Sequence, residues 1–259
     1  MKRTDVKKQK SMTGMHIRRS LFAFPYIVWM AVFILSPMLL ILYYAFTSEG
    51  GATLENIVQA ANWDNMRVLL DSVRFALYTT VLCLLLGYPI AYLLSRMKKT
   101  TAALLSVFFI VPMWMNFLLR TYAWKVLLGA FTKILYTEAA VLLGMVYNFL
   151  PFMILPIYTT LIKLDKSYIE AAADLGANPA TTFLRVVLPL SMSGIIAGVT
   201  MVFIPSTTTF AISQLLGGGK TMLYGDLTYM KFITEQSWST GSALSIILLM
   251  FVLLSMTFM

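Results

Sequence analysis

The sequence has very few of the residues that build disulfides, metal sites and catalytic centres. It contains one cysteine, Cys83, and one histidine, His16, in 259 residues. Neither a disulfide within the chain nor a cluster of cysteine and histidine ligands can therefore form. Charged residues make up only 12% of the chain, whereas a soluble domain usually has about 25%. These shortages argue against a disulfide-linked secreted domain, a zinc domain and an ordinary soluble enzyme.

Long apolar runs are what the sequence has instead, since hydrophobic residues make up 59% of it. Runs of roughly 20 apolar residues are long enough to cross a bilayer, so the sequence predicts an all-α membrane protein with six transmembrane helices. No aspartate or glutamate lies in the middle of any run, and intramembrane enzymes and proton pumps usually need an acid, base or metal ligand there. We therefore expect no catalysis and no proton coupling within the membrane. The six runs are 22–46, 72–94, 101–119, 139–162, 186–210 and 242–259.

The basic residues predict the orientation of the helices. With the N-terminus inside, the cytoplasmic segments are a basic arm at 1–20, the stretch around Arg96 and the loop 163–185. They hold 13 of the 20 lysines and arginines but only 4 of the 11 acidic residues. Such a bias places both termini in the cytoplasm, and a first run this long is retained rather than cleaved as a signal peptide. The net charge of +9 thus belongs to the cytoplasmic face, and no nucleic-acid partner is expected.

These spans divide the chain into two parts: the basic arm at 1–20 and a six-helix domain at 21–259. The sixth run stops at residue 259 without a basic anchor, so either its helix is barely long enough or a tail is missing. On the outer side, the segment 217–221 ends in Gly-Lys-Thr like a phosphate-binding P-loop. The first glycine of that motif would fall at Gln214, so we interpret the segment as a flexible external loop and not as a nucleotide site.

The polar segment between the fourth and fifth runs predicts two short helices. Ser167 and Glu170 have the spacing of a capping box, which starts a helix. Gly176 fits the left-handed residue that ends it, and Asn178 followed by Pro179 fits the start of a second helix. This pattern is typical of a small docking element, although an interfacial helix that only orders the loop would have the same spacing.

The same residues resemble a known motif. The permease subunits of binding-protein-dependent ABC importers carry Glu-Ala-Ala, three residues, glycine, nine residues and then Ile-x-Leu-Pro in this loop. Here the motif starts at Glu170, has its glycine at Gly176 and ends at Pro189, with Val186 in place of isoleucine. The resemblance implies a coupling helix that docks into an ATPase subunit. The residues that it assigns to this contact are Glu170, Ala171, Ala172, Asp174, Gly176, Asn178 and Pro179.

A narrower resemblance, to the permeases of spermidine/putrescine importers, covers the stretches 86–94, 111–114, 119–124, 144–156, 204–206 and 215–220. It implies a type I ABC importer (MetI-like) fold in the bacterial cytoplasmic membrane and a polyamine substrate. It also implies a second homologous permease, two ATPase subunits that bind ATP and magnesium, and an extracytoplasmic substrate-binding protein. No cofactor is then expected in this chain. An importer for another small solute remains an alternative, as does a membrane enzyme or an insertion factor from a different class.

For a polyamine, the residues beside the proline-broken runs become candidates for the path. Eight of the nine prolines lie in the apolar runs, and such breaks are tolerated where a cavity or a neighbouring helix satisfies the backbone. Aromatic rings attract a desolvated cation, and an acid at the mouth attracts it over distance. We expect Arg120 to face an acid or a helix end. The candidate path residues are Trp114, Asn116, Tyr122, Tyr147, Tyr224 and Asp226.

Overall fold

A computed structural model describes residues 24–48 and 51–258, and most of them are helical. The predicted arm at 1–20 lies outside the described residues. Four helices are long and apolar enough to cross a membrane, and two bent pairs bring the total to six when each pair counts as one span. The continuous helices are α1 (Phe24–Phe46), α3 (Trp63–Arg96), α6 (Glu138–Leu161) and α12 (Trp238–Phe258).

The remaining elements are short or belong to the bent pairs. The first bent pair is α4 (Lys99–Trp114) with α5 (Phe117–Phe131), and the second is α8 (Pro179–Leu190) with α9 (Met192–Thr208). Between α1 and α3 lie two antiparallel two-residue strands, β1 (Thr47–Ser48) and β2 (Gly51–Ala52). The other bounds are α2 (Glu55–Ala60), α7 (Ser167–Asp174), α10 (Ala211–Gly217) and α11 (Tyr224–Tyr229).

The predicted third run is not one straight helix. Helix α4 ends at Trp114, and α5 starts at Phe117 in a direction 96° away. The Asn116 side chain accepts hydrogen bonds from the Leu118 and Leu119 amides at 2.9 and 3.3 Å. Asparagine is a strong N-cap, so the chain begins a new helix there. The fifth run is also broken, because α8 and α9 meet at Ser191 with a bend of 63°.

Two of the interruptions inside helices are wide π-turns that precede a proline. The segment Ala31–Leu35 is π-helical and Pro37 follows it, and Phe183–Val187 is π-helical and Pro189 follows it. A proline ring clashes with the carbonyl four residues earlier, and in both cases that carbonyl lies inside the widened turn. The wider turn removes the clash and lets the helix continue.

The core consists of α3, α6 and α9, packed along their lengths. Small residues let these backbones approach closely, as in other membrane helix bundles. A Cβ added to Gly198 would lie 2.7 Å from Met153 Sδ, and one added to Gly194 would lie 2.9 Å from the Pro156 carbonyl oxygen. A second, smaller cluster joins α12 with α1, α2 and α11. No residue in the most apolar window of α1 is buried, so this helix lies at the periphery of the described structure.

Candidate functional site

The predicted docking helix is present as α7, but its start differs from the prediction. We expected Ser167 and Glu170 to form a capping box, and this is wrong. Ser167 is the first helical residue, and no side chain of the N-cap residue Lys166 closes the helix. Instead, Asp165 Oδ1 accepts a hydrogen bond from the Ser167 amide at 2.9 Å. A carboxylate is also favoured at the positive end of a helix dipole, which explains why Asp165 takes this role. These contacts hold the pKa of Asp165 below its ordinary value, first through the Ser167 backbone hydrogen bond.

The end of α7 and the start of α8 have the predicted geometry. Gly176 has φ +78°, and the Gly176 and Ala177 amides donate to the carbonyls of Ala173 and Ala172 at 2.9 and 3.0 Å. This pair of bonds is a Schellman motif, which needs a left-handed residue. Asn178 Oδ1 accepts from the Thr181 amide at 2.8 Å, with Pro179 at the first helical position. The local structure predicted from Gly176, Asn178 and Pro179 is therefore confirmed.

The exposed surface of α7 and its following turn includes an apolar residue, Leu175, that is not among the predicted contact residues. Leu175 is 89% exposed at the end of α7, and Tyr168 is exposed near its start. Glu170 and Asp174 are exposed as well, whereas Ile169 packs against the core. A single exposed leucine is common, but one at the end of a short helix that also exposes Glu170 and Asp174 has the composition of a contact surface. Its position next to the glycine of the motif was the only signal for it in the sequence.

A short chain of aromatic contacts joins this element to the membrane helices. The Phe183 ring in α8 lies edge-on to both Tyr88 and Tyr92 of α3, with centroids 5.6 and 5.4 Å apart. The hydroxyl groups of Tyr88 and Ser191 are hydrogen bonded at 2.9 Å. Ser191 is the residue at the 63° bend between α8 and α9. A displacement of α7 and α8 would thus reach α3 and this bend directly.

Four of the candidate path residues lie on or near α5, but they do not form one site. Trp114 is 83% exposed at the bend that follows α4. Asn116 caps α5, so its side-chain oxygen is engaged by the backbone. The Tyr122 ring has Lys125 Nζ 6.0 Å from its centroid. Tyr147 of α6 packs edge-on against Trp124 at 5.3 Å. The structure brings none of these four side chains into contact with another.

The other two candidates lie in the segment that connects α9 to α12. Tyr224 is fully buried, and its amide donates to Ser72 Oγ at 2.7 Å. Asp226 is only 6% exposed, and its Oδ2 accepts from the Leu223 amide at 2.9 Å. Its Oδ1 and the Tyr224 hydroxyl are buried without a hydrogen-bond partner among the described residues. Burial raises the pKa of Asp226 to about 6, although the neighbouring Ser213 and the Leu223 amide lower it in part.

Asp226 borders a cavity of about 230 Å³. The described residues of its walls carry hydroxyl, amide and thioether groups and no basic side chain. A buried carboxylate without a cationic partner among the described residues is costly. The arrangement suits a small cation or one ammonium group. The lining residues are Ser213, Gln214, Gly219, Thr221, Met222, Asp226, Tyr229, Met230 and Thr234.

The glycine-rich segment at 217–221, which we interpret as a flexible external loop, is packed at its start and exposed from Gly218 to Lys220. Gly217 is buried, and the Tyr136 amide donates to the Leu216 carbonyl at 2.9 Å. Gly218 has φ +58°, and a Cβ there would overlap the Tyr136 ring. The segment is a tight turn held against the start of α6, because only glycine fits both the backbone and the space.

We expect Arg120 to face an acid or a helix end, and the first alternative is not met within residues 24–48 and 51–258. Arg120 is 7% exposed, its Nε and Nη1 atoms are buried without a partner, and no acid of the described residues forms an ion pair with it. The contact with a helix end stays a prediction. In the same ranges, no three histidine, cysteine, aspartate or glutamate side chains converge as metal ligands would.

Comparison with known proteins decides the family. Residues 83–259 match the family model for the binding-protein-dependent transport system inner membrane component. The chain belongs to this family. It is accordingly a multi-pass inner-membrane permease, and the six-span all-α architecture described above is the fold that the family predicts.

Relatives of the permease cover most of its length. It is 39% identical over 241 residues to the spermidine/putrescine transport system permease protein PotB of Haemophilus influenzae, spanning 84% of each chain. PotB of Escherichia coli strain K12 is 37% identical over 243 residues, spanning 85% of this chain and 88% of its own. A PotB homolog of Mycoplasma genitalium is 30% identical over 218 residues, spanning 78% and 76%.

Two solved structures share the fold. One is a bacterial ABC transporter involved in the import of the acidic polysaccharide alginate, with a TM-score of 0.67 and 12% identity, covering 98% of this chain and 96% of the other. The second is that type of alginate transporter in complex with a pentasaccharide-bound periplasmic protein, with a TM-score of 0.56 and 13% identity, covering 97% and 94%. At these identities the match concerns the fold alone.

Proposed function

We propose that this permease is one of two membrane subunits of an ATP-driven importer for polyamines such as spermidine and putrescine. The observation that carries the proposal is the similarity of this chain to polyamine permeases, which are 36–39% identical to it over about 85% of its length. The proposal assigns the ATP and magnesium to separate ATPase subunits and the selection of substrate to an extracytoplasmic binding protein. The chain itself carries no catalytic residue in this scheme.

The coupling contact with the ATPase would be made by the tip of α7 and the turn into α8. Glu170 and Asp174 offer charge, Leu175 offers an apolar anchor, and the Schellman turn at Gly176 fixes their direction. Ala171 and Ala172 keep the helix slim enough to enter a cleft, and Asn178 with Pro179 fixes the second helix. Movement of this element would pass through Phe183 to α3 and to the bend at Ser191.

The path proposal separates into two parts. Trp114, Asn116, Tyr122 and Tyr147 belong to the region of the α4–α5 bend, where exposed aromatic faces offer weak, non-trapping contacts to a cation. Tyr224 and Asp226 belong to the buried segment before α12, where Asp226 offers an unpaired carboxylate. A polyamine needs partners of both kinds, because a site that binds too tightly slows release.

We propose that the N-terminus, Arg96 and α7 face the cytoplasm, and that the α10–α11 segment faces outward. The bias of lysine and arginine supports this orientation. Arg74 pairs with Glu138 at 3.1 Å at the end that holds Tyr136 and Leu216, which is the end that the proposal places outside. The Phe183–Tyr92 contact is at the other end of α3.

Transport by the reconstituted assembly tests the function. The permease is co-purified with its partner subunits, placed in proteoliposomes with ATP inside, and supplied with loaded binding protein and labelled spermidine or putrescine. We expect ATP-dependent uptake of at least one polyamine, lost in Glu170→Ala. Uptake of another solute class with no uptake of either polyamine would contradict the proposed substrate, since the shared alginate-transporter fold shows that the fold does not fix the cargo.

A further inference from the structure

A cavity of about 200 Å³ lies between the end of α3, the start of α4, the end of α6 and the docking helix α7. Its base is apolar, formed by buried side chains that include Leu94, Leu161 and Val187. Two exposed cations, Arg96 and Lys166, stand at its edge. The inner surface of the cavity is thus apolar, and its edge, near the C-terminal end of α3, is positively charged.

The two cations have no acidic partner in the described part of the chain. Neither Arg96 nor Lys166 forms an ion pair with any acid among residues 24–48 and 51–258, and no acid lines the cavity. Arg96 is nevertheless held in place, because Nη2 donates to the Tyr92 hydroxyl at 2.9 Å and the guanidinium lies 5.0 Å from the Tyr92 ring centroid. An ordered guanidinium with free donors is well suited to a phosphate group.

The position of the cavity favours a lipid over a soluble anion. Basic pockets between membrane helices on the cytoplasmic side bind the head groups of anionic lipids. The first turn of α4 starts at Lys99 next to this cavity, so the positive end of a helix dipole adds to the field of the two cations. The space accommodates a phosphate diester but not a whole lipid, and the apolar base continues towards the membrane-spanning helices.

We propose that this cavity binds the phosphate of an anionic phospholipid of the cytoplasmic leaflet and so stabilises the docking helix on the membrane domain. The proposal rests on the orientation given under Proposed function, but not on the identity of the transported solute. The bound lipid would stabilise the docking helix α7 and the following helix α8 through two residues. Arg96 holds Tyr92, which packs on Phe183 of α8, and Lys166 immediately precedes α7.

Lipid binding by the purified importer complex tests the proposal without any polyamine. The complex is incorporated into nanodiscs of equal parts phosphatidylglycerol and phosphatidylcholine, extracted mildly, and the retained lipids are counted by native mass spectrometry. We expect retained phosphatidylglycerol in the wild type, with about a fivefold loss of preference in Arg96→Gln and a further similar loss when Lys166→Gln is added. Lys98→Gln removes a charge at the same level from a residue outside the cavity, so it should keep the preference.

A second readout separates the lipid from other anions. Substrate-stimulated ATPase activity should rise several-fold when phosphatidylglycerol is added to phosphatidylcholine nanodiscs, in the wild type and Lys98→Gln but not in the double variant. Equal lipid preference in all variants would refute the site. Rescue of activity by inorganic phosphate in pure phosphatidylcholine would mean a soluble-anion site. Loss of coupling in both lipid compositions, with lipid retention unchanged, would mean that the cations contact the ATPase; each of these results overturns the proposal.

Discussion

Replacing Gly176 by valine tests the coupling role at a position where the structure isolates one cause. Gly176 has φ +78°, and a Cβ built there meets no atom within 4 Å. The penalty of the substitution therefore comes from the left-handed backbone alone and not from a clash with a neighbour. A β-branched residue in this region costs on the order of 1–2 kcal/mol.

That free-energy penalty falls on the end of α7, which few buried contacts stabilise. Helix α7 has no fully buried residue, so the core does not resist fraying of its last turn. The Schellman bonds from the Gly176 and Ala177 amides would be lost with the left-handed residue. A cost of this size lowers the population of the ordered helix end about 5- to 30-fold relative to the frayed one. Leu175, at the tip, would lose its fixed direction.

The measurement compares uptake and substrate-stimulated ATPase activity in the reconstituted complex. Gly176→Val should reduce both several-fold while membrane insertion and thermal stability stay close to the wild type. Gly51→Val is the matched control, because Gly51 also has a positive φ, +115°, and open space around its Cβ, but it lies in the β1–β2 hairpin. Normal coupled transport in Gly176→Val would refute the reasoning, as would an equal loss in both variants.

Further outcomes are expected at other positions. Asp226→Asn should weaken uptake most at low substrate, and wild-type uptake should fall as the external pH drops through about 6, where the buried carboxyl becomes protonated. Among the described residues, no other aspartate, glutamate, lysine or arginine borders that cavity, so a pH profile unchanged by the substitution would contradict this. Leu175→Ala should weaken association with the ATPase without changing the amount of permease, measured by co-purification. Trp114→Ala should cut uptake several-fold while the complex still assembles, and full activity would place the path elsewhere. An impermeant thiol reagent added outside should label Lys220→Cys and not Asn178→Cys, and the reverse pattern would invert the topology.

The docking element could be predicted from the sequence because local rules decide it. A left-handed glycine, an asparagine cap and a proline at the first helical position each act within four residues. The one local error, at Ser167, has the same origin. Asp165 lies two residues before Ser167 and accepts the hydrogen bond of its amide, so the helix begins at Ser167 itself and not after it. Exposure of Leu175 was not predictable, since burial depends on residues distant in the chain.

The bends and the outer segment were not predictable from hydropathy. An average over about twenty residues has the same value for a straight span and for two helices that meet at 96°, as at Asn116. Helices α10 and α11 have seven and six residues, too few for a periodic signal to separate them from a loop. The contact that orders the turn at Gly218 comes from Tyr136, which is far away in sequence.

Polar groups at the two ends of the molecule differ in whether the described residues satisfy their hydrogen bonds. At the docking end, the Schellman bonds, the Asn178 cap and the Asp165 cap satisfy the ends of α7 and α8 with neighbouring residues. At the other end of the molecule, Arg120 and Asp226 are buried with polar atoms that no described residue satisfies. Each such atom costs about 1–3 kcal/mol unless it gains a partner. The ends of the docking helices are therefore satisfied by their own residues, whereas the buried atoms of Arg120 and Asp226 have no partner among the described residues. In the proposed importer, a second permease or the substrate would supply such a partner.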